Sequence, residues 1–347
     1  MIWFSNILLE WYNPTTRKLP WKKTNDAYKI WISEIILQQT RVEQGMPYYL
    51  AFIKNYPTVK QLANAPLDDV LKLWEGLGYY SRARNLHTAA RQVMENHNGK
   101  FPCSHEEMLQ LKGIGKYTAA AIASFAFQLP HAVVDGNVYR VLTRVFGIHI
   151  PIDTAKGKQQ IEQLAHELLD KLQPHIYNQA IMDFGALVCK PQQPLCSTCP
   201  FVSNCKAYLK NEINSLPVKS KKIVKTNRFF HYFILFDTVS IYIQQRDGND
   251  IWKGLHEFPL VETKSEDSQA EIKIWLQEIG IKSVQPVLIS KQILSHQNIY
   301  ANFYELKWKN LPNLEKMYIK IKMTDINQYA FPKIIRSYLQ DRFIFLS

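Results

Sequence analysis

Residues 111–120 read LKGIGKYTAA, and this short stretch indicates the fold more clearly than any other part of the sequence. Gly113 and Gly115 stand one residue apart and permit a tight turn, because glycine accepts backbone conformations that other residues disfavour. The run from Lys116 onward predicts a helix, and the first backbone N–H groups of a helix can hold an anion. Hydrogen bonds from backbone N–H groups to a phosphate do not depend on which base the nucleotide carries. A lone G-x-G is also common in ordinary turns, so the other motifs decide between the two readings.

The sequence around this turn, from residue 1 to about 215, has the periodicity of helices. Apolar residues recur three and four positions apart, for example from Val70 to Leu77 and from Ile161 to Leu169, as they do on the buried face of a helix. Proline and glycine interrupt these runs at short intervals. We therefore expect a mostly α-helical region over residues 1–215, made of many short helices.

The pattern changes in the last third of the chain. Residues 216–228 are basic and contain no acidic residue, which predicts a linker, either a solvated connector or a segment that touches phosphates. Beyond residue 229 aromatic and β-branched residues predominate, as strands prefer. We expect an α+β domain over residues 229–347, with strands at 229–236, 239–245, 287–289, 299–308 and 317–323 and helices at 269–279 and 332–343.

The composition narrows the class of protein. A chain of 347 residues suits two domains, and 46% apolar with 21% charged residues excludes a wholly disordered chain. The longest nearly unbroken apolar stretch, residues 119–127, is about half of the roughly 20 residues that a membrane-spanning helix needs. Residues 1–12 lack a basic start and contain Glu10, so we expect an amphipathic helix and not a signal peptide. These features predict a cytoplasmic protein without a membrane partner, and a monomer is the default expectation.

The chain carries a strong positive charge, with 42 Lys and Arg residues against 30 Asp and Glu residues and a net charge of +12. Such a balance favours a polyanionic partner such as nucleic acid. A basic surface also serves solubility alone, so the charge supports a nucleic-acid partner only alongside specific motifs.

Four of the five cysteines are clustered within 17 residues: Cys189, Cys196, Cys199 and Cys205, with Cys103 standing apart. In a cytoplasmic chain this clustering favours a metal or cluster site over disulfides. Four thiolates hold either a tetrahedral zinc ion or a [4Fe-4S] cluster. Structural zinc sites favour two C-x2-C pairs, whereas the spacing here is C-x6-C-x2-C-x5-C with a single C-x2-C. The spacing therefore favours a [4Fe-4S] cluster, with zinc as the alternative.

One carboxyl group stands out in an apolar helical stripe, and a second follows the glycine turn. Residues 28–40 read YKIWISEIILQQT, where the helical stripe Ile30, Glu34 and Leu37 places a carboxyl between apolar neighbours. Burial favours the neutral, proton-donating form of such a group, although a surface glutamate is the commoner case. Asp135 lies in VVDGNVYR, residues 133–140, about 20 residues after the glycine turn.

These motifs together resemble a known family. The glycine turn with its downstream aspartate resembles the helix-hairpin-helix of a DNA glycosylase superfamily, and the cysteine spacing resembles that of its iron–sulfur members related to endonuclease III. The strings WISEIILQQT, residues 31–40, and LGYYSRARNL, residues 77–86, closely resemble adenine DNA glycosylases of the MutY type. The resemblance extends over residues 3–215.

The resemblance implies roles for individual residues. Glu34 is the general acid that protonates the purine at N7, and Asp135 stabilises the cationic sugar or bonds to it briefly, as two carboxyls share the work in glycoside hydrolysis. Tyr117 and Asn137 orient these carboxyls and the water. Tyr117 also occupies the position of the lysine nucleophile in glycosylases that cleave the backbone, which implies a monofunctional enzyme.

Further residues are implied to contact DNA or the cofactor. Reaching the bond requires the adenosine to leave the duplex, and Gln39 and Tyr79 match residues that insert next to the lesion. Gly113, Gly115 and Lys116 are implied to hold the DNA backbone. Cys189, Cys196, Cys199 and Cys205 are implied to hold a structural [4Fe-4S] cluster that orders a DNA-contacting loop.

The C-terminal half resembles, more loosely, the Nudix-like domain that follows the catalytic region in this family. The strings are QQR, residues 244–246, and IWKGLHEFP, residues 251–259. Residues 269–280 contain Glu271 and Glu278 but no R-E-x-x-E-E run, which predicts recognition and not hydrolysis. The triplet LSH at 294–296 aligns with an F-S-H loop that meets 8-oxoguanine, so Ser295 and His296 are implied lesion contacts. Leucine replaces phenylalanine there, which weakens the apolar part of that contact.

The resemblance implies a fold with two parts, a helix-hairpin-helix glycosylase region with an iron–sulfur loop and an α+β Nudix-like domain. It implies excision of adenine opposite 8-oxoguanine, or less well opposite guanine, in double-stranded DNA, by a bacterial-type protein associated with the nucleoid. Two alternatives remain open. One is an endonuclease III-like lyase acting on oxidised pyrimidines. The other is a non-catalytic DNA-binding protein that retains the hairpin and the cluster.

Overall fold

The computed structural model describes residues 2–220, 224–265, 270–307 and 317–342. The chain forms two compact units, one made of residues 1–64 and 88–222 and the other of residues 65–87 and 223–347. The first is helical, and the second is built on a mixed β-sheet. This architecture confirms the expected fold class, a mostly α region followed by an α+β domain. Residues 65–87 belong to the second unit, a grouping that the sequence pattern did not predict.

The helices up to residue 209 match the predicted pattern of many short segments. They are α1 (Ile2–Trp11), α2 (Ala27–Leu37), α3 (Val42–Asn55), α4 (Val59–Asn64), α5 (Leu67–Leu73), α6 (Ser81–Asn96), α7 (His105–Leu109), α8 (Lys116–Phe127), α9 (Gly136–Phe146), α10 (Ala155–Leu168), α11 (Pro174–Leu187) and α12 (Lys206–Leu209), with 3-10 turns at Pro20–Lys23 and Cys196–Thr198. No helix in the described ranges is long and apolar enough to cross a membrane.

An aromatic cluster fixes the cysteine-rich loop to the helices of the first unit. Phe201 is fully buried between α1 and α11, with its ring stacked 4.8 Å from that of Phe4 and edge-on to Phe184 at 5.1 Å. Aromatic pairs in these geometries stabilise a core beyond their buried area. The residues between Cys199 and Cys205 are therefore held by the same core that positions α9 and α11.

The second unit contains, within its described residues, a seven-stranded sheet: β1 (Thr226–Phe236), β2 (Ser240–Gln245), β3 (His256–Glu257), β4 (Leu260–Thr263), β5 (Leu288–Ile293), β6 (Gln297–Lys307) and β7 (Ile319–Lys322). The strand order is β3-β2-β1-β6-β5, and β4 and β7 pair with β1 and β2. The two longest strands, β1 and β6, run parallel, whereas the other pairs are antiparallel. Helices α13 (Ala270–Glu278) and α14 (Lys333–Arg342) complete the unit.

The predicted strands and helices of this half are all present, with shifted ends. β3 and β4, of two and four residues, were not predicted. Gln269, Trp308 and Phe343, at the ends of three predicted elements, lie outside the described residues.

The predicted linker is shorter in the structure than residues 216–228. Its first part is fastened to the first unit: Arg144 Nε donates to the carbonyl of Leu216 at 3.1 Å, and the N–H of Ile152 donates to the carbonyl of Val218 at 3.0 Å. Its last part, from Thr226, already belongs to β1. Lys221 and Lys222 lie outside the described residues.

Candidate active site

A cavity of about 530 Å³ in the first unit brings together residues from five parts of the chain. Its walls come from residues 17–22, α2 with the turn that follows it, α8, the loop that leads into α9 with the first residues of α9, and α11. The four residues predicted to be catalytic all line it, and so does Gln39; they are Glu34, Tyr117, Asp135 and Asn137. The two carboxyls, about 100 positions apart in sequence, therefore face one space.

Glu34 lies on a helix whose central residues are nearly all buried, and only 6% of it is exposed. Burial raises the pKa of Glu34 to about 7, with a smaller contribution from the nearby Asp135 carboxyl and an opposing hydrogen bond from the Tyr117 side chain. Burial disfavours the charged form of a carboxyl. A substantial fraction of Glu34 therefore carries a proton at neutral pH, as a general acid requires.

Asp135 caps the N-terminus of α9. Its Oδ1 accepts the backbone N–H of Val138 at 2.8 Å, and its Oδ2 accepts Nδ2 of Asn137 at 2.7 Å. Burial raises the pKa of Asp135, while these two hydrogen bonds and the guanidinium of Arg140 act against that rise. Donors and a helix N-terminus aimed at a carboxyl favour its anionic form. Glu34 has only the Tyr117 hydrogen bond to oppose its burial, so the two carboxyls have different electrostatic surroundings.

Arg140 connects Asn137, the residue that hydrogen-bonds to Asp135, to the cysteine-rich loop. Its Nη2 donates to Oδ1 of Asn137 at 2.8 Å and to the carbonyl of Gly185 at 2.7 Å, and its Nε donates to the carbonyl of Cys189 at 2.7 Å. The guanidinium is planar and holds its donors in a fixed geometry. It therefore fixes the orientation of the Asn137 amide relative to the end of α11.

The contact between α9 and α11 depends on Gly185. A Cβ at this position would lie 2.5 Å from Cβ of Asn137 and 3.1 Å from its Cα. Only glycine allows the two helices to approach this closely without displacing Asn137. The position of Asn137, which hydrogen-bonds to Asp135, therefore depends on Gly185, some 50 positions later in the chain.

The cavity also has a polar wall that the sequence motifs did not identify, formed by Arg17, Lys22, Gln179 and Asp183. Asp183, with 3% of its side chain exposed, pairs with the guanidinium of Arg17 at 3.2 Å and with the ammonium of Lys22. Arg17 and Lys22 lie some 160 positions before Asp183, so the three residues form no motif of fixed spacing. The one sequence signal was Asp183, the single acidic residue of the helical run 174–187.

The four clustered cysteines line one small cavity together with apolar side chains. Burial raises the pKa values of Cys196, Cys199 and Cys205, to about 11 for Cys199. Arg144 lies nearby, with Nη1 3.6 Å from Sγ of Cys189. Within the described ranges, no group of three or more His, Cys, Asp or Glu side chains is arranged to hold a metal ion.

The predicted glycine turn lies between α7 and α8. Gly113 has a φ of +80°, and Gly115 caps α8 with extended backbone and no side-chain cap. A Cβ on Gly115 would meet nothing within 4 Å, so the backbone at this point is open to a ligand. The ammonium of Lys116 is exposed, 3.8 Å from a carboxyl oxygen of Glu162. An uncapped helix start of this kind can hold an anion, and the assignment of these residues to a DNA phosphate stays a prediction.

A second cavity, of about 380 Å³, lies in the second unit and is lined by Tyr79, Ser295 and His296. The Tyr79 hydroxyl hydrogen-bonds to Oγ of Ser295. Leu294 lines the same cavity, beside Trp252. The LSH triplet and the GLGYY turn, more than 200 residues apart in sequence, therefore meet.

Both residues that are implied to insert into DNA have unusual backbone conformations. Gln39 has a φ of +58° and Tyr79 a φ of +49°. Positive φ is uncommon for residues other than glycine, and such strain is concentrated at functional sites. Tyr79 is 43% exposed, which is high for a tyrosine ring in a turn with hydrogen bonds of its own.

The fold of the first unit is that of the base-excision repair proteins with a helix-hairpin-helix. A family model described as "HhH-GPD superfamily base excision DNA repair protein" matches residues 32–171, and a NUDIX domain model matches residues 231–341. The chain is 40% identical to an adenine DNA glycosylase of Buchnera aphidicola subsp. Baizongia pistaciae over 309 residues, which is 86% of this chain and 84% of that protein. An adenine DNA glycosylase of Buchnera aphidicola subsp. Schizaphis graminum is 33% identical over 97% of this chain and 98% of its own length.

The chain belongs to the adenine DNA glycosylase family. Among solved structures, a thermostable thymine-DNA glycosylase is 31% identical with a TM-score of 0.56, over 60% of this chain and 95% of that one. The family resemblance that the motifs indicated is therefore confirmed over both halves of the chain.

Proposed function

We propose that this protein flips adenine out of double-stranded DNA and hydrolyses its N-glycosidic bond, acting on adenine opposite 8-oxoguanine and less well opposite guanine. The observation that carries the proposal is the shared cavity that holds Glu34 and Asp135 in different electrostatic surroundings. Two carboxyls of this kind suit a reaction in which one group donates a proton and the other stabilises a cation. The names of the relatives support adenine as the excised base.

Glu34 donates its proton to N7 of the extruded purine, which makes the base a better leaving group. Its pKa of about 7 keeps the proton available at neutral pH. In this proposal Asp135 acts as the anion of the pair; Val138 and Asn137 donate hydrogen bonds to its two oxygens and oppose the rise in pKa that burial causes. It stabilises the oxocarbenium-like sugar as the bond to the base breaks. Water then adds to C1′ of the sugar cation, and its proton passes to the Glu34 carboxylate, which restores the acid.

Tyr117 supports a monofunctional enzyme. Its hydroxyl is hydrogen-bonded to Glu34, and burial together with the two carboxyls raises its own pKa well above the usual range. A neutral phenol at this position orients the acid and does not form a Schiff base with the sugar. This role disfavours the endonuclease III-like lyase.

DNA is held at several places in this proposal. The N–H groups around Gly113 and Gly115 and the exposed Lys116 take the phosphates of the strand, and the net charge of +12 attracts the duplex. Gln39 and Tyr79 fill the space that the flipped nucleotide leaves. Their left-handed backbone conformations project these side chains from tight turns.

The second unit reads the base opposite the adenine. The hydrogen bond between Tyr79 and Ser295 places an inserting aromatic ring beside the loop that carries His296. Polar groups of Ser295 and His296 suit the altered N7–H and O8 edge of 8-oxoguanine, and the neighbouring apolar side chains of Leu294 and Trp252 provide contact area.

We also propose a [4Fe-4S] cluster as the cofactor. Four thiols around one cavity, in the spacing C-x6-C-x2-C-x5-C with a single C-x2-C, suit such a cluster better than a structural zinc site. When bound, the cluster would cross-link the loop between Cys189 and Cys205. The raised pKa values of three of the thiols mean that loading releases protons.

The test incubates the purified protein with duplexes that carry adenine opposite 8-oxoguanine, adenine opposite guanine, or thymine glycol. The proposal predicts free adenine from the first two, faster from the first, and strand breaks only after alkali. A borohydride-trapped adduct on thymine glycol would support the lyase instead. Binding of all duplexes without release of any base would support a non-catalytic DNA-binding protein.

A further inference from the structure

The turn that carries Tyr79 has an unusual backbone conformation, in which a tyrosine follows two glycines into the positive-φ region. Three of its residues have positive φ: Gly76 at +91°, Gly78 at +80° and Tyr79 at +49°. Two hydrogen bonds close the turn on itself, from Nε1 of Trp74 to the carbonyl of Gly78 at 3.0 Å and from the N–H of Gly76 to the Tyr80 hydroxyl at 3.0 Å. A tyrosine in this backbone region persists only where the surrounding contacts hold it.

Glu75 fastens the first end of this turn. Its Oε1 accepts the backbone N–H of Phe331 at 2.9 Å, and its Oε2 accepts the ammonium of Lys72 at 2.8 Å and lies 3.7 Å from Nε of Arg336. The ammonium of Lys72 also donates to the carbonyl of Tyr329 at 2.9 Å. Only 13% of the Glu75 side chain is exposed, so these charged contacts are largely shielded from water. The carboxylate thus ties the turn to residues 329–336.

The other end of the turn is fastened to the same region. The N–H of Ile334, at the start of α14, donates to Oε1 of Gln292 in β5 at 3.0 Å. β5 ends at Ile293 and leads directly to Ser295, whose hydroxyl bonds to Tyr79. A closed ring of contacts therefore runs from Glu75 through α14 and β5 to Ser295 and back to Tyr79.

We propose that Glu75 is a positioning residue that sets Tyr79 against Ser295 and thereby increases the preference for 8-oxoguanine over guanine opposite the target adenine. The inference rests on the proposed function, because it assigns Tyr79 and Ser295 to the lesion. Without the Glu75 carboxylate, the first end of the turn loses its contacts to residues 329–336. Tyr79 then leaves its strained backbone conformation, and its hydroxyl moves away from Ser295. Glu34 and Asp135 line a different cavity, so the chemical step is not altered.

The test compares Glu75→Ala and Glu75→Gln with Asp69→Ala, a control at an exposed acidic residue on α5. The measured quantities are kcat/KM for adenine opposite 8-oxoguanine and opposite guanine, and the single-turnover rate on each bound duplex. Glu75→Ala lowers the ratio of the two kcat/KM values roughly tenfold, the effect of one buried charge-assisted hydrogen bond. Glu75→Gln keeps an acceptor for Phe331 but loses the charge, so its ratio falls between those of the wild type and the alanine variant. Asp69→Ala keeps the wild-type ratio.

The outcomes separate a positioning role from general destabilisation. An unchanged ratio in both Glu75 variants would overturn the inference, and so would an equal loss of rate on both duplexes. If Glu75→Ala does not fold, the ratio of the two kcat/KM values in Glu75→Gln tests the inference, because glutamine has nearly the same shape as glutamate. A wild-type protein that shows no preference between the two duplexes would contradict the proposed function itself.

Discussion

Arg140 donates a hydrogen bond from Nε to the backbone carbonyl of Cys189 at 2.7 Å. The same guanidinium holds the amide oxygen of Asn137, and the Asn137 amide nitrogen holds Asp135. One arginine therefore stands between the first cysteine of the loop and the Asp135 carboxyl. If Asp135 stabilises the sugar cation as proposed, the order of that loop affects the reaction through this side chain.

Replacing Arg140 with lysine tests this link. Lysine keeps the charge but not the planar donors, so the contacts to Asn137 and Cys189 are not both kept. We expect adenine excision to slow roughly tenfold to a hundredfold, the effect of losing one or two charge-assisted hydrogen bonds, with iron content retained. The measurement is single-turnover release of adenine, with Arg342→Lys, at a more exposed arginine, as the control. Wild-type rates in Arg140→Lys would show that Asn137 holds Asp135 without this support.

Gly185→Ala tests the close approach of α11 to α9. The added Cβ would lie 2.5 Å from Cβ of Asn137, so one helix has to move. We expect a loss of stability of about 1–3 kcal/mol, typical of an overpacked core, and a lower kcat because Asn137 moves with its helix. Thermal unfolding and excision assays measure the two effects. Gly248→Ala, where a Cβ meets nothing within 4 Å, is the matched control; similar behaviour of the two variants would rule out the steric argument.

The raised pKa of Glu34 predicts the pH dependence of excision. The general acid must be protonated, and its pKa is about 7, so kcat/KM falls as the pH rises above 7 and approaches a tenfold loss per pH unit. The Tyr117 hydrogen bond lowers this pKa, so Tyr117→Phe moves the falling limb to higher pH. Profiles of kcat/KM for the two proteins provide the measurement. A limb that moves to lower pH in Tyr117→Phe would reject the assigned hydrogen bond.

Cys199→Ser tests the proposed cofactor. A hydroxyl is a harder ligand than a thiolate and does not replace it on iron, so we expect loss of iron and of the visible absorbance of the cluster, with weaker DNA binding. Cys103→Ser, at the exposed cysteine outside the cluster, keeps both. Equal iron content in the two variants would contradict the assignment of Cys199 as a ligand.

Local sequence pattern was sufficient for much of the fold and for the centre of the site. The glycine turn, the carboxyl of Glu34 among apolar residues and the four cysteines are each visible within about 20 residues, and the structure brings Glu34 and Asp135 into one cavity. Arg17, Lys22 and Asp183 were missed because their association depends on the packing of distant segments.

The grouping of residues 65–87 with the sheet was missed for a similar reason. The contacts that hold this segment, from Lys72 to Tyr329 and from Glu75 to Phe331, join positions more than 250 apart. A helical periodicity shows which face of α5 is buried but not which partner covers it. β3 and β4 were missed because short strands are defined by their pairing and not by their own residues.

The most direct test of the account is single-turnover release of adenine by Glu34→Gln on a duplex with adenine opposite 8-oxoguanine. Glutamine keeps the shape of the side chain but has no acidic proton, so the account predicts loss of adenine release by a factor of at least about 100, the usual contribution of a general acid, with duplex affinity nearly intact. Adenine release at the wild-type rate would contradict it.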